Sequence, residues 1–190
     1  RYWRDWSSDV CSSDLGKKET SAKEDKGAKK PASKSADTKT GKDHLVLETT
    51  KGKVVIKFRP DLAPNHVAHI KRLAEEGFYD GIVFHRVIDG FMAQTGCPHG
   101  TGTGGSSYPN LKQEFNTEPH VRGTCSMARA ANPDSANSQF FICFDDARFL
   151  DRQYTVWGQV VEGMEHVDNI KRGEPVRDPD RITKASIVSL

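Results

Sequence analysis

Short β-rich runs, each stopped by turn chemistry, constrain this chain more than any other feature. They lie at 44–50, 53–58, 83–88, 91–95, 123–128, 139–144, 154–161 and 182–190. Two neighbouring pairs are spaced as hairpins, one about Lys51-Gly52 and one about Asp89-Gly90. Only two stretches carry helical spacing. In the first, Pro64 stands near a first turn, Val67, Ile70, Leu73 and Ala74 share a face, and Gly77 supplies a stop. In the second, over 163–171, Met164, Val167 and Ile170 fall on one face. Strands and helices do not alternate, so the rhythm of a parallel βαβ sheet is missing. The expected fold is mainly β: a closed eight-stranded antiparallel barrel, which leaves no edge, capped by two α-helices.

That domain is expected to span 44–190. The hydrophobic fraction of 35% is low for a compact domain, which points to a solvated segment diluting it. Residues 16–43 fit that description, with nine lysines and almost nothing apolar, and are expected to be a disordered linker. Residues 1–15, RYWRDWSSDVCSSDL, resemble the translation of sequencing-adapter DNA and are set aside.

Over 44–190 there are 17 basic and 18 acidic side chains, so no charge bias towards nucleic acid is present and no specific nucleic-acid partner is expected. No run approaches the roughly 18 apolar residues of a membrane span. Four cysteines, at 11, 97, 125 and 143, form no C-x-x-C pair. They fit a reducing compartment, with Cys125 and Cys143 as small buried hydrophobes. A cytoplasmic location is therefore expected, or a periplasmic one if a signal peptide precedes Gly16.

Neither metal nor cofactor is expected. Cys97 and His99 lack a second pair of ligands, and His66 and His69 lack an acidic partner and read as surface histidines. Residues 100–105 match G-x-G-x-x-G, but Ser106-Ser107-Tyr108-Pro109 follows where a phosphate-binding helix would have to begin. Those glycines instead let the backbone pack close to a neighbouring strand or ligand.

The chemically unusual residue is Arg86, inside the apolar run Phe84-His85-Arg86-Val87-Ile88. A guanidinium cannot deprotonate, so it must reach water or acceptors. Across the turn, Gln94 has an amide oxygen that could hold it, and Phe91 and Met92 offer an apolar floor. On these residues alone, Arg86 is either a binding-site anchor or an edge-strand arginine reaching solvent.

Five blocks resemble the cyclophilins, in order and at family spacing. They are Phe84-His85-Arg86-Val87-Ile88, Gly90-Phe91-Met92-Ala93-Gln94, Gly102-Thr103-Gly104-Gly105, Ser126-Met127-Ala128 and Ser138-Gln139-Phe140-Phe141-Ile142. The compact connections and Tyr154-Thr155-Val156-Trp157-Gly158 resemble the bacterial branch. The resemblance implies a capped eight-stranded barrel that isomerises X-Pro bonds of proline-containing polypeptides without a cofactor; a monomer is expected. It makes Arg86 the catalytic arginine and Gln94 its orienting glutamine. Phe91, Met92, Phe141 and Leu150 would receive the proline ring, Gln139 would contact substrate, and the backbone at Ala128 and Arg129 would pair with the peptide. His85 would be a pocket wall.

Two rim positions depart from many eukaryotic members: Phe149 stands for a tryptophan and Tyr154 for a histidine. Without the indole N–H, cyclosporin is expected to bind weakly. Arg129, in place of a smaller polar residue, would bias the site towards acidic side chains. An alternative from another class is a proline-peptide-binding, chaperone-like module with incidental turnover, which would need the pocket but not an arginine in register. A hydrolase built on His85 lacks a nucleophile at motif spacing.

Overall fold

The computed structural model describes residues 43–190. The adapter-like stretch 1–15 and nearly all of the lysine-rich 16–43 lie outside the described residues. The chain forms β1 (Asp43–Thr49), β2 (Gly52–Phe58), α1 (Pro64–Glu75), β3 (Arg86–Ile88), β4 (Met92–Thr95), β5 (Thr124–Met127) and β6 (Phe140–Cys143). A 3₁₀ turn (Arg148–Leu150), β7 (Val156–Glu162), α2 (Met164–Asp168) and β8 (Ile182–Ser189) complete it. Both expected hairpins form, β1 with β2 and β3 with β4. Every ladder is antiparallel, and the strand order is β3-β4-β6-β5-β7-β2-β1-β8.

Alternation along the strands gives the sheet one buried inner face. Leu45, Leu47, Ile56, Val87, Ala93, Met127, Phe140, Ile142, Trp157 and Ile182 come from all eight strands yet enter a single core cluster, so the sheet curls around it. Phe140 stands near its centre, edge-on to Trp157 at 5.3 Å and to Tyr79 at 5.5 Å. The phenol of buried Tyr79 donates to Ser138 O at 2.9 Å. α1 contributes Val67, Ile70, Leu73 and Ala74 to the same core, and α2 contributes Val167. Cys125 and Cys143 are buried thiols as expected, and burial pushes Cys143 up to about 12.

The closed barrel is not reached; the sheet is a curled half-barrel. The run expected as one strand over 83–88 breaks at Phe84 and His85, because its partner changes there. Residues 81–84 bond to 180–182, through one bridge between Val83 and Arg181 and through Phe84 N to Asp180 O at 2.8 Å. β3 pairs instead with the segment at Gly173. No ladder joins β3 to β8.

His66 and His69 are buried, not surface histidines. For His66 the partner lies 48 residues away: Glu114 pairs with His66 Nδ1 and accepts from the backbone amides of Asn65 and His66. It thereby caps α1, whose N-cap Ala63 has no side-chain acceptor of its own. Burial lowers both histidines' pKa, and for His66 this outweighs the pull of Glu114.

Phe140→Ala should cost about 3–5 kcal/mol, the range for an aromatic deleted from a packed core. The urea midpoint should fall with the slope of the transition unchanged.

Candidate active site

Directly opposed residues on antiparallel strands project to the same face. Arg86 opposes Gln94, Gln94 opposes Phe141, and Phe141 opposes Ser126. One row across β3, β4, β6 and β5 therefore carries an arginine, a glutamine, a phenylalanine and a serine on the sheet's outer face. Two residues along, Ile88, Met92 and Cys143 form a second row on that face. The residues between them, Val87, Ala93 and Ile142, point into the core.

The outer face gathers its own apolar cluster: Met92, Ala128, Phe141, Cys143, Ala147 and Leu150, with Phe91 and Tyr154 packed against it. Tyr154 meets Phe141 edge-on at 5.8 Å. Phe91 stacks on Phe149 at 5.4 Å and 14°, and Phe149, 48% exposed, is the rim. The 3₁₀ turn brings Leu150 to the floor and Phe149 to the edge. Every residue expected at the proline pocket and its rim is thus in one place.

Beside this floor lies a cavity of about 800 Å³, lined by His85, Arg86, Gln94, Ala128, Arg129 and Gln139 and by the loop 100–106. Gln94 Nε2 donates to Gln139 Oε1 at 3.0 Å. Gln139 Nε2 in turn donates to Gly102 O and Gly104 O, both at 2.8 Å. The glycine-rich loop therefore packs against the residue just before β6, and it is tied from below by Gly102 N and Gly104 N to Cys97 Sγ at 3.3 Å. Gly102 has φ +85°, and a Cβ there would sit 3.3 Å from the His85 ring.

Two expectations change. Gln94 Oε1 has no hydrogen-bond partner among the described residues. Its amide serves Gln139, while Arg86 Nε bonds Glu174 Oε1 at 2.6 Å. Arg129 offers little to an acidic substrate. Its Nε and Nη2 donate to Gln153 O, its Nη1 to Ala130 O and Ala131 O, and its guanidinium lies 4.8 Å over the Tyr154 ring. The backbone amide of Ala128 donates to Gln139 O at 3.0 Å.

His85 is buried with Nδ1 unpartnered, and burial, then the Arg86 charge, lowers its pKa to about 4. It is a neutral wall near neutral pH. Sequence reasoning missed His120, whose ring stacks on Phe141 at 6.2 Å and 19°. Its Nδ1 meets Asp151 Oδ1 at 2.9 Å and its Nε2 meets Ser126 Oγ at 3.1 Å. Ser126 is 0% exposed and donates to Thr155 O at 2.9 Å. This serine lies behind the floor, where no substrate carbonyl reaches it, so the trio supports Phe141 and supplies no nucleophile.

Residues 44–189 match the family described as cyclophilin type peptidyl-prolyl cis-trans isomerase/CLD. The chain belongs to the cyclophilins. A relative named "Probable peptidyl-prolyl cis-trans isomerase" in Brucella abortus is 55% identical over 159 residues, covering 75% of this chain and 81% of its own. Peptidyl-prolyl cis-trans isomerase B of Bacillus subtilis is 44% identical over 141 residues, covering 74% and 96%. Among solved structures, a cyclophilin from Hirschia baltica superposes with TM-score 0.70 at 32% identity, over 76% of this chain and 73% of that one. A cyclophilin-type isomerase of Cryptosporidium parvum, crystallised in the presence of the dipeptide Ala-Pro, gives 0.72 at 27% identity over 77% and 99%. Among the described residues of this cyclophilin, no three His, Cys, Asp or Glu side chains come together as a metal site, and no helix is long and apolar enough to cross a membrane.

The buried histidines predict acid sensitivity. His66, His69, His85 and His120 all have folded pKa values below the ordinary 6.5. Their stabilisation is full above pH 6.5 and is lost as pH falls through the folded values. For His85, from 6.5 to about 4, the loss is about 3 kcal/mol. Urea midpoints measured from pH 7 to 4 should fall, and His85→Gln should flatten part of that slope.

Proposed function

We propose that this chain accelerates rotation about X-Pro bonds through Arg86, with Phe91, Met92, Phe141 and Leu150 holding the proline ring. The observation that carries this reading is the single outer row, which sets a guanidinium beside an apolar floor. An edge arginine turned only to solvent would not line one cavity with Gln94 and Gln139, as Arg86 does. The Cryptosporidium relative crystallised with Ala-Pro supports a proline-containing ligand for this site.

The chemistry needs no covalent step. Resonance gives the C–N bond double-bond character and a barrier of roughly 18–20 kcal/mol. Twisting breaks that conjugation and localises the lone pair on the prolyl nitrogen, so a nearby N–H donor is attracted more strongly to the twisted amide than to either planar form. Only this difference raises the rate. An acceleration of 10⁴ to 10⁶ needs about 6–8 kcal/mol of it. One preorganised charge-assisted hydrogen bond in a water-poor site supplies a few kcal/mol. Holding the ring while the residue before it rotates supplies the remainder.

Arg86→Ala should lower kcat/KM for an X-Pro peptide by roughly two orders of magnitude. Arg86→Lys should lower it nearly as far, because it keeps the charge but loses the planar fork. Full turnover in both folded variants contradicts the assignment. Phe91→Ala should instead raise KM, roughly ten- to thirtyfold, through lost burial. Cyclosporin titrated calorimetrically should bind weakly, since the Phe149 rim offers no indole N–H; nanomolar affinity contradicts that reading.

A further inference from the structure

Arg86 has an ion-pair partner that the five motif blocks do not contain. Glu174 lies 88 residues further along, and its Oε1 accepts from Arg86 Nε at 2.6 Å. The segment carrying it is laid against β3. Val87 N donates to Gly173 O at 2.9 Å, Gly173 N to Val87 O at 2.8 Å, and Val176 N to His85 O at 3.1 Å. That pairing fixes residue 174 beside residue 86. It also needs glycine at 173: φ is +154°, and a Cβ there would come within 2.8 Å of Pro175 O and 2.9 Å of Val176 Cα. Glu174 and Pro175 line the same cavity as Arg86, Gln94 and Gln139.

The chemistry of the bond specifies what it can do. Nε is the inner nitrogen of the guanidinium, and a carboxylate held there fixes the rotation of the plane and so the direction of the two terminal nitrogens. Gln94, placed opposite Arg86 in the ladder, leaves its oxygen unpartnered and gives its N–H to Gln139. We propose that Glu174 is the positioning residue for Arg86, holding the guanidinium plane towards the cavity in the role that the family resemblance assigns to Gln94. This rests on the reading of Arg86 as the group that acts on the amide. The carboxylate is 46% exposed, and a pair that open contributes little to folding. Its consequence is therefore on turnover and not on stability.

The test compares kcat and KM of Glu174→Ala and Glu174→Gln on an X-Pro peptide, in the otherwise unchanged chain and in Arg86→Ala. Glu174→Ala should lower kcat about five- to tenfold with KM within about twofold and an unchanged melting temperature. Glu174→Gln, which keeps an acceptor oxygen, should recover most of the loss. In the Arg86→Ala background Glu174→Ala should change nothing further. Unchanged or increased kcat in Glu174→Ala, while Arg86→Ala is inactive, overturns the role of Glu174 and leaves the function intact. An equal loss in both backgrounds also overturns it, since Glu174 would then act without Arg86. Full activity of Arg86→Ala instead overturns the underlying reading of Arg86.

Discussion

The pairing of β4 with β6, Gln94 opposite Phe141 and Thr95 opposite Phe140, divides the molecule into fold and site. Because strand side chains alternate with period two, Phe140 enters the core beside Trp157 while Phe141 faces outwards in the apolar floor beside the cavity. A slip of one residue in β6 would exchange the two, burying Phe141 in the core and taking it off the row that Gln94 occupies. The rest of the site depends on that register. β3 is aligned on β4, so Arg86 falls at the end of the same row, and β5 is aligned on β6, so Ala128 and Met127 follow at opposite faces.

Electrostatics then favours one cation. Near the amide site stand a neutral histidine, two glutamines tied to each other and to a loop, and aromatic rings. Arg129 is turned to backbone carbonyls, and Arg86, 21% exposed and bonded through Nε to Glu174, is the cation on the row. An apolar floor lowers the local dielectric and excludes competing water, so a difference in hydrogen bonding between planar and twisted amide is not averaged away. The support behind the floor is polar but buried: Asp151, His120 and Ser126 brace Phe141 from the far side.

What the sequence made legible was local. Both hairpins and α1 follow from period-two and helical spacing with Gly and Pro as punctuation, and 139–144 reads as the most apolar strand because both its faces are covered. The pocket residues were legible through the family resemblance, since their spacing along β4, β6 and the 3₁₀ turn carries the motif. What stayed hidden was set by partners far along the chain. Glu114 buries His66 from 48 residues away, Glu174 takes Arg86 from 88, and the break at Phe84 arises because 173–176 and 180–182 share one edge. No periodicity encodes such pairings. Arg129 was misread for a related reason: its acceptors are carbonyls, which a sequence does not display.

In the proposed function, Arg86 discriminates the twisted amide from the planar one. Magnetisation-exchange NMR on an X-Pro peptide separates the two terms, reading affinity from titration and on-enzyme cis–trans exchange from the cross-peaks. In Arg86→Ala, affinity should stay within a few-fold of the unaltered chain while exchange on the protein collapses. Exchange that persists, or an affinity that falls as far as the exchange does, would contradict the claim and make Arg86 a ground-state contact.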